Sequence, residues 1–318
     1  MKWPLNLVNI LFLLSLFSCT QVRKNSKIVS EVYIHQYNVP MSKKDWNERG
    51  GNGQISYVYN DGRKVNEHYK GHILEGKSTY TYPYSENLQK SLVYSQGELK
   101  EENYFFINGT PELKRKFIAY TPSKIEETTW YAEGVPKSFE LYEGGKLSEG
   151  SYYTKQHDID SSVKKGVGTR TLRDINGILL QKDSINSGEV TMQTILYSNG
   201  DVKELIPCKE GKTHGRKQFF GENGLPLKIE EWSMGVKEGV EISFQNGVKF
   251  QETPYFSGKK EGTGKIYDAK NQLVEEITYR NDARHGPSYF YLNNEIHTKW
   301  FFRGNKVNKL RYDQLTAI

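Results

Sequence analysis

The sequence predicts an all-β protein, an elongated, twisted antiparallel sheet of consecutive β-hairpin repeats of about 23 residues each. Three observations lead to this fold class. Glycines recur at a nearly constant interval in the second half, short segments alternate apolar and polar residues, and turn-forming pairs separate those segments. A fixed period of this size is typical of stacked units that cannot bury their apolar faces alone.

The glycine series sets the length of one unit. Its members are Gly166, Gly188, Gly211, Gly235, Gly258 and Gly304, at successive intervals of 22, 23, 24, 23 and 46 residues. Asn281 occupies the position that the doubled interval skips. We therefore predict that each member of the series marks the same point in successive units.

The unit from Gly235 to Ser257 illustrates the predicted hairpin. Apolar and polar residues alternate from Val240 to Phe244, which indicates a half-buried strand. Asn246-Gly247 then predicts a type I′ turn, because both central residues of that turn need positive φ. The corresponding turn pairs in other units are Asn176-Gly177, Asn199-Gly200, Asn223-Gly224, Asn271-Gln272 and Asn294-Glu295.

Two series of aromatic residues accompany the turns. The first series precedes them and comprises Tyr197, Phe220, Phe244, Tyr267 and Tyr291. The second series lies on the return strands and comprises Trp232, Tyr255, Tyr279 and Phe302. We predict that these rings line a single face of the sheet and form its core, each burying about 150–250 Å². A row of rings that stack on a ligand is the alternative.

Three segments carry a resemblance to a known family: GKTHGRKQFFGENG (211–224), GVKEGVEISFQNG (235–247) and GKKEGTGKIYDAKNQ (258–272). They resemble the bacterial MORN-repeat variant family, over residues 165–307 and more weakly over 50–165. The resemblance implies a sheet of consecutive hairpins. The regular Tyr-x-Gly-x-Trp ending of the best-known MORN consensus is missing, so the phospholipid binding proposed for that consensus is not expected here. Some proteins similar to this family are labelled antitoxin components.

The amino terminus predicts export and lipidation. Residues 1–18 have a charged start and a short apolar run, as in a lipoprotein signal peptide. Leu16-Phe17-Ser18-Cys19 resembles a lipobox, so we predict that Cys19 carries diacylglycerol and an acyl chain such as palmitate. An ordinary signal peptide with a chance cysteine is the alternative; the apolar run is too short for a transmembrane helix.

The mature chain is predicted to consist of a lipidated tether (19–27), irregular or degenerate β-repeats (28–164) and regular MORN-like repeats (165–318). Thr20 after the cysteine favours the outer membrane by the usual sorting pattern. Because no acidic run follows Cys19, we expect the periplasmic side of the membrane in preference to the cell surface.

The number and distribution of charges limit the classes of partner that the chain is expected to bind. The chain has 44 Lys and Arg against 38 Asp and Glu, and they are interspersed as on the solvated face of a sheet. No basic cluster is interleaved with aromatics along the sequence, so we expect no nucleic-acid partner. Cys208 falls at the position of Trp232 in its unit, which predicts a buried, inert thiol; a reactive thiol or an intermolecular disulfide is the alternative.

Several motifs match catalytic or binding patterns in spacing alone. Gly71 to Ser78 has P-loop spacing, but its strand-like flanks argue against a nucleotide site. His68 and His72 are spaced like metal ligands on a helix, whereas their segment does not look helical. We predict no cofactor, no metal site and no enzyme activity.

Other polar residues follow the repeat. His214 and His285 precede a repeat glycine where Glu238 and Glu261 stand in other units, which predicts an exposed loop position at one edge. The acidic pairs Glu126-Glu127, Glu230-Glu231 and Glu275-Glu276 are interpreted as solvated strand residues. Residues 154–165, with His157, Asp158 and Asp160, are interpreted as a loop that joins the two halves.

The predicted function is therefore that of a lipid-anchored envelope scaffold. Its partners would be the lipid bilayer through acylated Cys19 and, through the exposed strand faces or edges, a protein or a cell-wall glycan polymer. An antitoxin or immunity protein that neutralises a toxin is the alternative, and it rests on the family resemblance. An envelope enzyme is the third, least favoured hypothesis.

Overall fold

The computed structural model describes residues 26–120, 122–293 and 295–317. About 65% of the described residues are in strands and 5% in helices, and consecutive strands pair as antiparallel hairpins. The predicted all-β class and hairpin order are confirmed. The chain divides between Asp160 and Ser161 into two compact units.

The first unit is an antiparallel sheet with one short helix. Its elements are β1 (Ile28–His35), β2 (Pro40–Met41), α1 (Lys43–Glu48), β3 (Gly53–Tyr59), β4 (Lys64–Lys70), β5 (Ile73–Leu74), β6 (Gly76–Thr81), β7 (Leu88–Ser95), β8 (Glu98–Phe105), β9 (Pro111–Tyr120), β10 (Ser123–Trp130), β11 (Pro136–Glu143) and β12 (Lys146–Tyr153). β1 pairs with both β2 and β3. From β3 onward each hairpin pairs with the next.

Helix α1 covers the first strands of this unit. Its N-cap is Ser42, whose hydroxyl accepts the Asp45 N–H at 3.0 Å and donates to the Asp45 carboxylate at 2.7 Å. Trp46 on α1 is 3% exposed and packs against Tyr33, with ring centroids 5.5 Å apart, and against Ile55. This cluster is the apolar core at the start of the unit.

The second unit continues the hairpin pattern and ends in a helix. Its elements are β13 (Ile159–Lys164), β14 (Val167–Arg173), β15 (Leu179–Asn186), β16 (Glu189–Leu196), β17 (Val202–Lys209), β18 (Lys212–Thr213), β19 (Gly215–Phe220), β20 (Pro226–Ser233), β21 (Val236–Lys237), β22 (Gly239–Gln245), β23 (Val248–Phe256), β24 (Lys259–Lys260), β25 (Gly262–Tyr267), β26 (Leu273–Arg280), β27 (Ala283–Leu292), β28 (Glu295–Phe302), β29 (Asn305–Val307) and α2 (Lys309–Thr316). Helix α2 begins at Asn308, whose side-chain oxygen accepts the Arg311 N–H at 2.8 Å.

The two edges of the second unit use different turns. At one edge, which we call the glycine edge, two-residue turns have positive φ at both residues, for example +50° at Ser257 and +79° at Gly258. At the other edge most turns have four residues, and the Gly200 N–H donates to the Tyr197 carbonyl at 3.0 Å. The type I′ turn predicted at Asn246-Gly247 is confirmed, with φ of +52° and +78°.

The other Asn-Gly pairs do not form type I′ turns. At Asn176-Gly177, Asn199-Gly200 and Asn223-Gly224 only the glycine has positive φ. At two of them the asparagine side chain bonds to the turn: Asn199 Oδ1 accepts the Asp201 N–H at 3.0 Å and Asn223 Oδ1 accepts the Leu225 N–H at 3.1 Å. At the third the acceptor is Asp174, whose Oδ1 accepts the Ile178 N–H at 2.8 Å. Such a local side-chain hydrogen bond stabilises the four-residue turn and replaces the type I′ geometry.

The glycine series marks the glycine edge, with one correction. The Gly258 N–H donates to the Lys237 carbonyl at 2.9 Å, and the Asp282 N–H makes the equivalent bond to Lys260 at 3.0 Å. Asp282, and not Asn281, therefore occupies the glycine position, at φ +67°. Aspartate tolerates this left-handed conformation because its short polar side chain can form local hydrogen bonds.

The prediction that both aromatic series share one face is wrong. Tyr279 is the direct cross-strand partner of Gly262, so both lie on one face. Tyr267 follows Gly262 by five positions on β25 and therefore points to the opposite face, where its hydroxyl donates to Glu252 at 2.9 Å. Nor do the rings form the core, since the buried apolar residues described in the second unit are Val163, Ile185 and Ile277.

Residues 154–165 are not a loop along their whole length. The turn ends at Asp158, and β13 occupies Ile159–Lys164. Gly168 on β14 pairs with Val163 on β13, so this segment forms a hairpin like its neighbours. The sequence masked this strand because Asp160 and two serines interrupt the apolar alternation.

Candidate functional site

Four repeats of the second unit share a cross-strand pair between an aromatic ring and a basic residue. The pairs are Trp232/Lys237, Tyr255/Lys260, Tyr279/Arg284 and Phe301/Lys306. Direct cross-strand partners have their side chains on the same face, and the strand register carries that face from repeat to repeat. We call these eight residues the ring–cation ladder.

The ladder corrects one member of the second aromatic series. Each ladder ring lies three residues before the second residue of a glycine-edge turn, which places Phe301 in the ladder. The predicted member, Phe302, is one position further along β28 and points to the opposite face. The distance of a residue from the glycine-edge turn, and not the presence of an aromatic ring nearby, therefore identifies the ladder member.

Three of the four basic residues in the ladder also reach the ring of the next repeat. The Lys237 ammonium lies 4.0 Å from the centroid of the Tyr255 ring, and the Lys260 ammonium lies 5.5 Å from that of Tyr279. The Arg284 guanidinium lies 5.4 Å from the Phe301 ring. These distances allow cation–π attraction. Rings and cations therefore alternate along one face.

Each ladder ring has a glycine as its strand partner on the side away from its basic residue. The strand partners of Trp232, Tyr255, Tyr279 and Phe301 on the other side are Gly215, Gly239, Gly262 and Gly286. A glycine has no side chain to cover a neighbouring ring. All four rings remain partly exposed.

Charge neutralisation is uneven along the ladder. The Lys237 ammonium lies 3.1 Å from the Glu230 carboxylate and also pairs with Glu241. Burial alone would lower the pKa of Lys237, but these hydrogen bonds outweigh it and raise the pKa. Arg284 lies 3.5 Å from Glu275. The first and third cations of the ladder are thus paired with carboxylates.

The remaining ladder cations are not paired. Within residues 26–120, 122–293 and 295–317, the ammonium groups of Lys260 and Lys306 have no carboxylate within 4.0 Å, although the Lys260 backbone N–H donates to Asp282 at 2.8 Å. Lys299 lies on the same face, with its ammonium 3.9 Å from the Phe290 ring centroid, and likewise has no carboxylate that close among the described residues. The carboxyl-terminal part of the ladder face therefore carries unneutralised positive charge.

Other repeats show that the cation is not needed for folding. In three repeats of the first unit, the equivalent cross-strand pair beside the turn joins an aromatic ring to a leucine. These pairs are Tyr69/Leu74, Tyr94/Leu99 and Tyr142/Leu147. Leu147 is 3% exposed. The position therefore accepts either an aliphatic or a basic side chain beside the ring.

The residue before each glycine partner of a ladder ring accepts a hydrogen bond from the next glycine-edge turn. A Glu238 carboxylate oxygen accepts the Ser257 N–H at 2.9 Å, and one of Glu261 accepts the Asn281 N–H at 2.8 Å. The imidazoles of His214 and His285 accept the corresponding N–H groups through Nδ1, at 3.3 and 3.4 Å. These residues lie at the predicted edge, but they are partly buried acceptors and not an exposed loop.

The acceptor role makes His285 sensitive to pH. Burial, with the positive charges of Arg280 and Arg303, lowers the pKa of His285, and Glu261 opposes this shift. A lowered folded-state pKa means that the unfolded chain takes up a proton first as the pH falls. The stability linked to neutral His285 is therefore lost as the pH falls from about 6.5, the ordinary histidine value, through the folded pKa.

We expect His285→Glu to remove this acid sensitivity, because glutamate fills the same position in the repeats of Glu238 and Glu261. Urea unfolding of wild type and variant between pH 7 and pH 5 measures the effect. The difference in unfolding free energy should move in favour of the variant as the pH falls. A difference that stays constant over this range would contradict the acceptor role of His285.

The acidic pairs split between the two faces. Neighbouring strand residues point in opposite directions, and Glu230 and Glu275 lie on the ladder face, two and four residues before Trp232 and Tyr279. Glu230 is 5% exposed and pairs with Lys228 and Lys237. The side chains of Glu127 and Glu275 are 21% and 15% exposed. The interpretation of these three residues as solvated is wrong.

Glu127 belongs to a row of acidic and basic side chains across strands of the first unit. Arg115 donates from Nε and Nη2 to one oxygen of Glu127, at 2.8 and 2.5 Å, and from Nη1 to Glu102 at 2.9 Å. Glu140 is the cross-strand neighbour of Glu127. Burial, reinforced by Glu140 and Glu102, raises the pKa of Glu127 although Arg115 opposes the shift. The ion pairs of Arg115 link β8, β9 and β10 on one face of the sheet.

The remaining candidate positions have ordinary structural places. Gly71 forms a hairpin turn with His72, and strand β6 follows from Gly76, so the segment with P-loop spacing has no helix. His68 lies on β4, and its Nδ1 is 2.6 Å from the Lys77 carbonyl oxygen. Cys208 occupies the predicted ring position but is only partly buried, and desolvation with nearby Asp183 raises the pKa of its thiol.

Cys19, the predicted signal peptide (1–18) and most of the predicted tether (19–27) lie outside the described residues. In the part of the chain that the structure describes, no helix is both long and apolar enough to cross a bilayer. The same part contains no group of three or more His, Cys, Asp and Glu placed to hold a metal ion.

Comparison with known proteins gives distant structural similarity alone. Family models and curated proteins yielded no match. The chain is similar to chains in crystal structures of TcdB2-TccC3-TEV and TcdB2-TccC3-Cdc42, each at 8% identity, with 86% and 84% of this chain covered and TM-scores of 0.17 and 0.19. It spans about 20% of the length of those chains. A porin-like protein from Bacteroides uniformis ATCC 8492 is similar over 77% of this chain and 88% of its own, at 9% identity and a TM-score of 0.16.

Proposed function

We propose that this chain is a lipid-anchored envelope protein that binds an extended protein or polymer through the ladder face. The ring–cation ladder is the observation that carries the proposal. Its pairs recur every second strand, which corresponds to about 10 Å across a sheet. Equivalent groups at a constant spacing suit a partner that is itself extended and repetitive, because many weak contacts then add.

The anchoring part of the proposal rests on the amino-terminal sequence. Acylation of Cys19 would tether the sheet to the outer membrane, on the periplasmic side, with two or more acyl chains for stable attachment. Metabolic labelling with a fatty acid, followed by membrane fractionation, tests it. The wild type should be labelled and membrane-bound, and Cys19→Ala should be neither. Label in both proteins, or in neither, would refute lipidation at Cys19.

The binding part is tested by affinity capture from solubilised envelopes. The bait is the mature chain, compared with a ladder variant in which Lys260 and Lys306 are both replaced by leucine. This variant should fold, because leucine fills the same position beside Tyr69, Tyr94 and Tyr142. The wild type should retain material that the variant loses. Equal recovery by the two baits would count against the ladder as the binding surface.

A further inference from the structure

We propose that the ligand of the ladder is a linear anionic glycan that carries one acidic group per disaccharide. This inference rests on the proposed function of the ladder face and specifies the partner. Three properties of the face argue for it: unneutralised cations, partly exposed rings beside glycines, and a constant spacing of ring and cation.

The charge of the face selects an anion. In the described chain, the ammonium groups of Lys260 and Lys306 are those of the ladder with no carboxylate within 4.0 Å, and Lys299 adds a third such group on the same face. Folding does not require these charges, since leucine serves at the ladder position elsewhere. Free ammonium groups on a sheet face raise the local concentration of a negatively charged ligand and pair with its acidic groups.

The rings select a ligand with flat apolar surfaces. Tyr255, Tyr279 and Phe301 are partly exposed, and each is bordered by a glycine and a cation. Pyranose rings present apolar C–H faces that pack on aromatic rings, while their substituents reach outward to polar groups. A sugar over each ring would place an acidic substituent near the neighbouring cation.

The spacing favours a glycan over a nucleic acid. Successive ladder rings lie two strands apart, or about 10 Å, and four rings span about 30 Å. A disaccharide unit of an extended β-linked glycan has a similar length. Nucleic acid carries a phosphate about every 3.4 Å along a stacked strand, so most of its charges would meet no ladder cation. The ladder matches the sparser charge of an acidic polysaccharide.

The test uses hyaluronate, a linear glycan with one carboxylate per disaccharide, against three comparison ligands. These are uncharged chitin oligosaccharides, polyglutamate and single-stranded DNA. Binding of the mature chain is measured by titration calorimetry at low and moderate salt. We expect hyaluronate to bind, to weaken as salt rises, and to exceed each comparison ligand by at least about tenfold in affinity.

Matched variants assign the binding to the ladder. Lys260→Leu with Lys306→Leu should weaken hyaluronate binding at least about tenfold. Lys259→Leu with Lys270→Leu removes the same charge from two exposed positions outside the ladder and should leave the affinity within about twofold. Thermal unfolding by circular dichroism checks that both variants remain folded.

The outcomes separate this inference from the proposed function. If hyaluronate does not bind while the envelope capture still depends on Lys260 and Lys306, the glycan assignment fails and the binding function stands. Ladder-dependent binding that is equally tight for DNA or polyglutamate also overturns the glycan assignment. If neither capture nor hyaluronate binding depends on the ladder, both proposals fail.

Discussion

Replacing Arg115 with leucine is expected to lower the free energy of unfolding by about 3–5 kcal/mol at pH 7. The Arg115 side chain is 19% exposed and bonds to both Glu102 and Glu127. Its loss leaves two largely buried carboxylates without their shared cation, beside a third on Glu140. Removing one partner of a buried ion pair costs far more than the pair contributes, since the remaining charge stays desolvated.

The pH dependence of this variant identifies the cause. Without Arg115, the pKa of Glu127 should rise further, because burial already raises it. A carboxyl with a raised folded-state pKa favours folding below its unfolded value, and this stability is lost as the pH rises through the folded value. The penalty of Arg115→Leu should therefore shrink between pH 7 and pH 4, as measured by urea unfolding.

A surface pair on the same sheet provides the control. Lys124 lies 3.1 Å from Glu143, and the two side chains are 37% and 46% exposed. Lys124→Leu should cost at most about 1 kcal/mol, because solvent screens exposed ion pairs. Adding Glu127→Gln to Arg115→Leu should restore part of the lost stability. Equal costs for the Arg115 and Lys124 variants would show that the buried row has no special role.

Gly168→Ala is expected to destabilise the second unit by about 2–4 kcal/mol. Gly168 has φ of +149°, and a Cβ there would lie 2.1 Å from the Ser162 carbonyl oxygen and 2.9 Å from the Val163 Cα. Both neighbours are backbone atoms, so a change of side-chain rotamer cannot relieve the clash. The β13–β14 hairpin would have to open. Thermal unfolding and amide exchange across this hairpin measure the effect.

Gly211→Ala distinguishes the energetic cost of a left-handed backbone from the cost of a steric clash at the new Cβ. It has φ of +72°, but a Cβ there would meet nothing within 4 Å. Gly211→Ala should therefore lower the free energy of unfolding only through its left-handed backbone conformation, by about 1–2 kcal/mol, and Gly211→Asn should lower it less. If Gly168→Ala is no worse than Gly211→Ala, the close approach of β13 and β14 is wrong.

Periodicity made the hairpin architecture predictable. The glycine series and the alternation around Val240 and Ile242 correctly indicated strands and their turns, because turn chemistry is local. The type I′ turns at Asn176, Asn199 and Asn223 were predicted wrongly, since an asparagine or aspartate side chain that bonds to the turn backbone competes with that geometry. Periodicity does not indicate helix α2, because the helix is short and its start depends on the single capping residue Asn308.

The ladder could not be predicted from residues that are neighbours along the sequence. Lys237 and Tyr255 are 18 residues apart, and only the strand register brings them within 4.0 Å. Rings and cations of the ladder alternate across strands, so they are not interleaved at neighbouring positions of the chain. The available signal was the pair spacing itself: a ring followed five residues later by Lys or Arg, in four successive repeats. The buried position of Glu127 likewise depends on which face its strand presents.

The central claim is that the repeats form one regularly spaced binding face, and a series of hyaluronate oligosaccharides tests it most directly. Affinity for the wild type should rise with length until the oligosaccharide spans the four rings, about 30 Å, and then level off. For the Lys260→Leu, Lys306→Leu variant the rise should be largely lost. Affinity that is independent of length in the wild type, or equal in the two proteins at every length, would contradict the account.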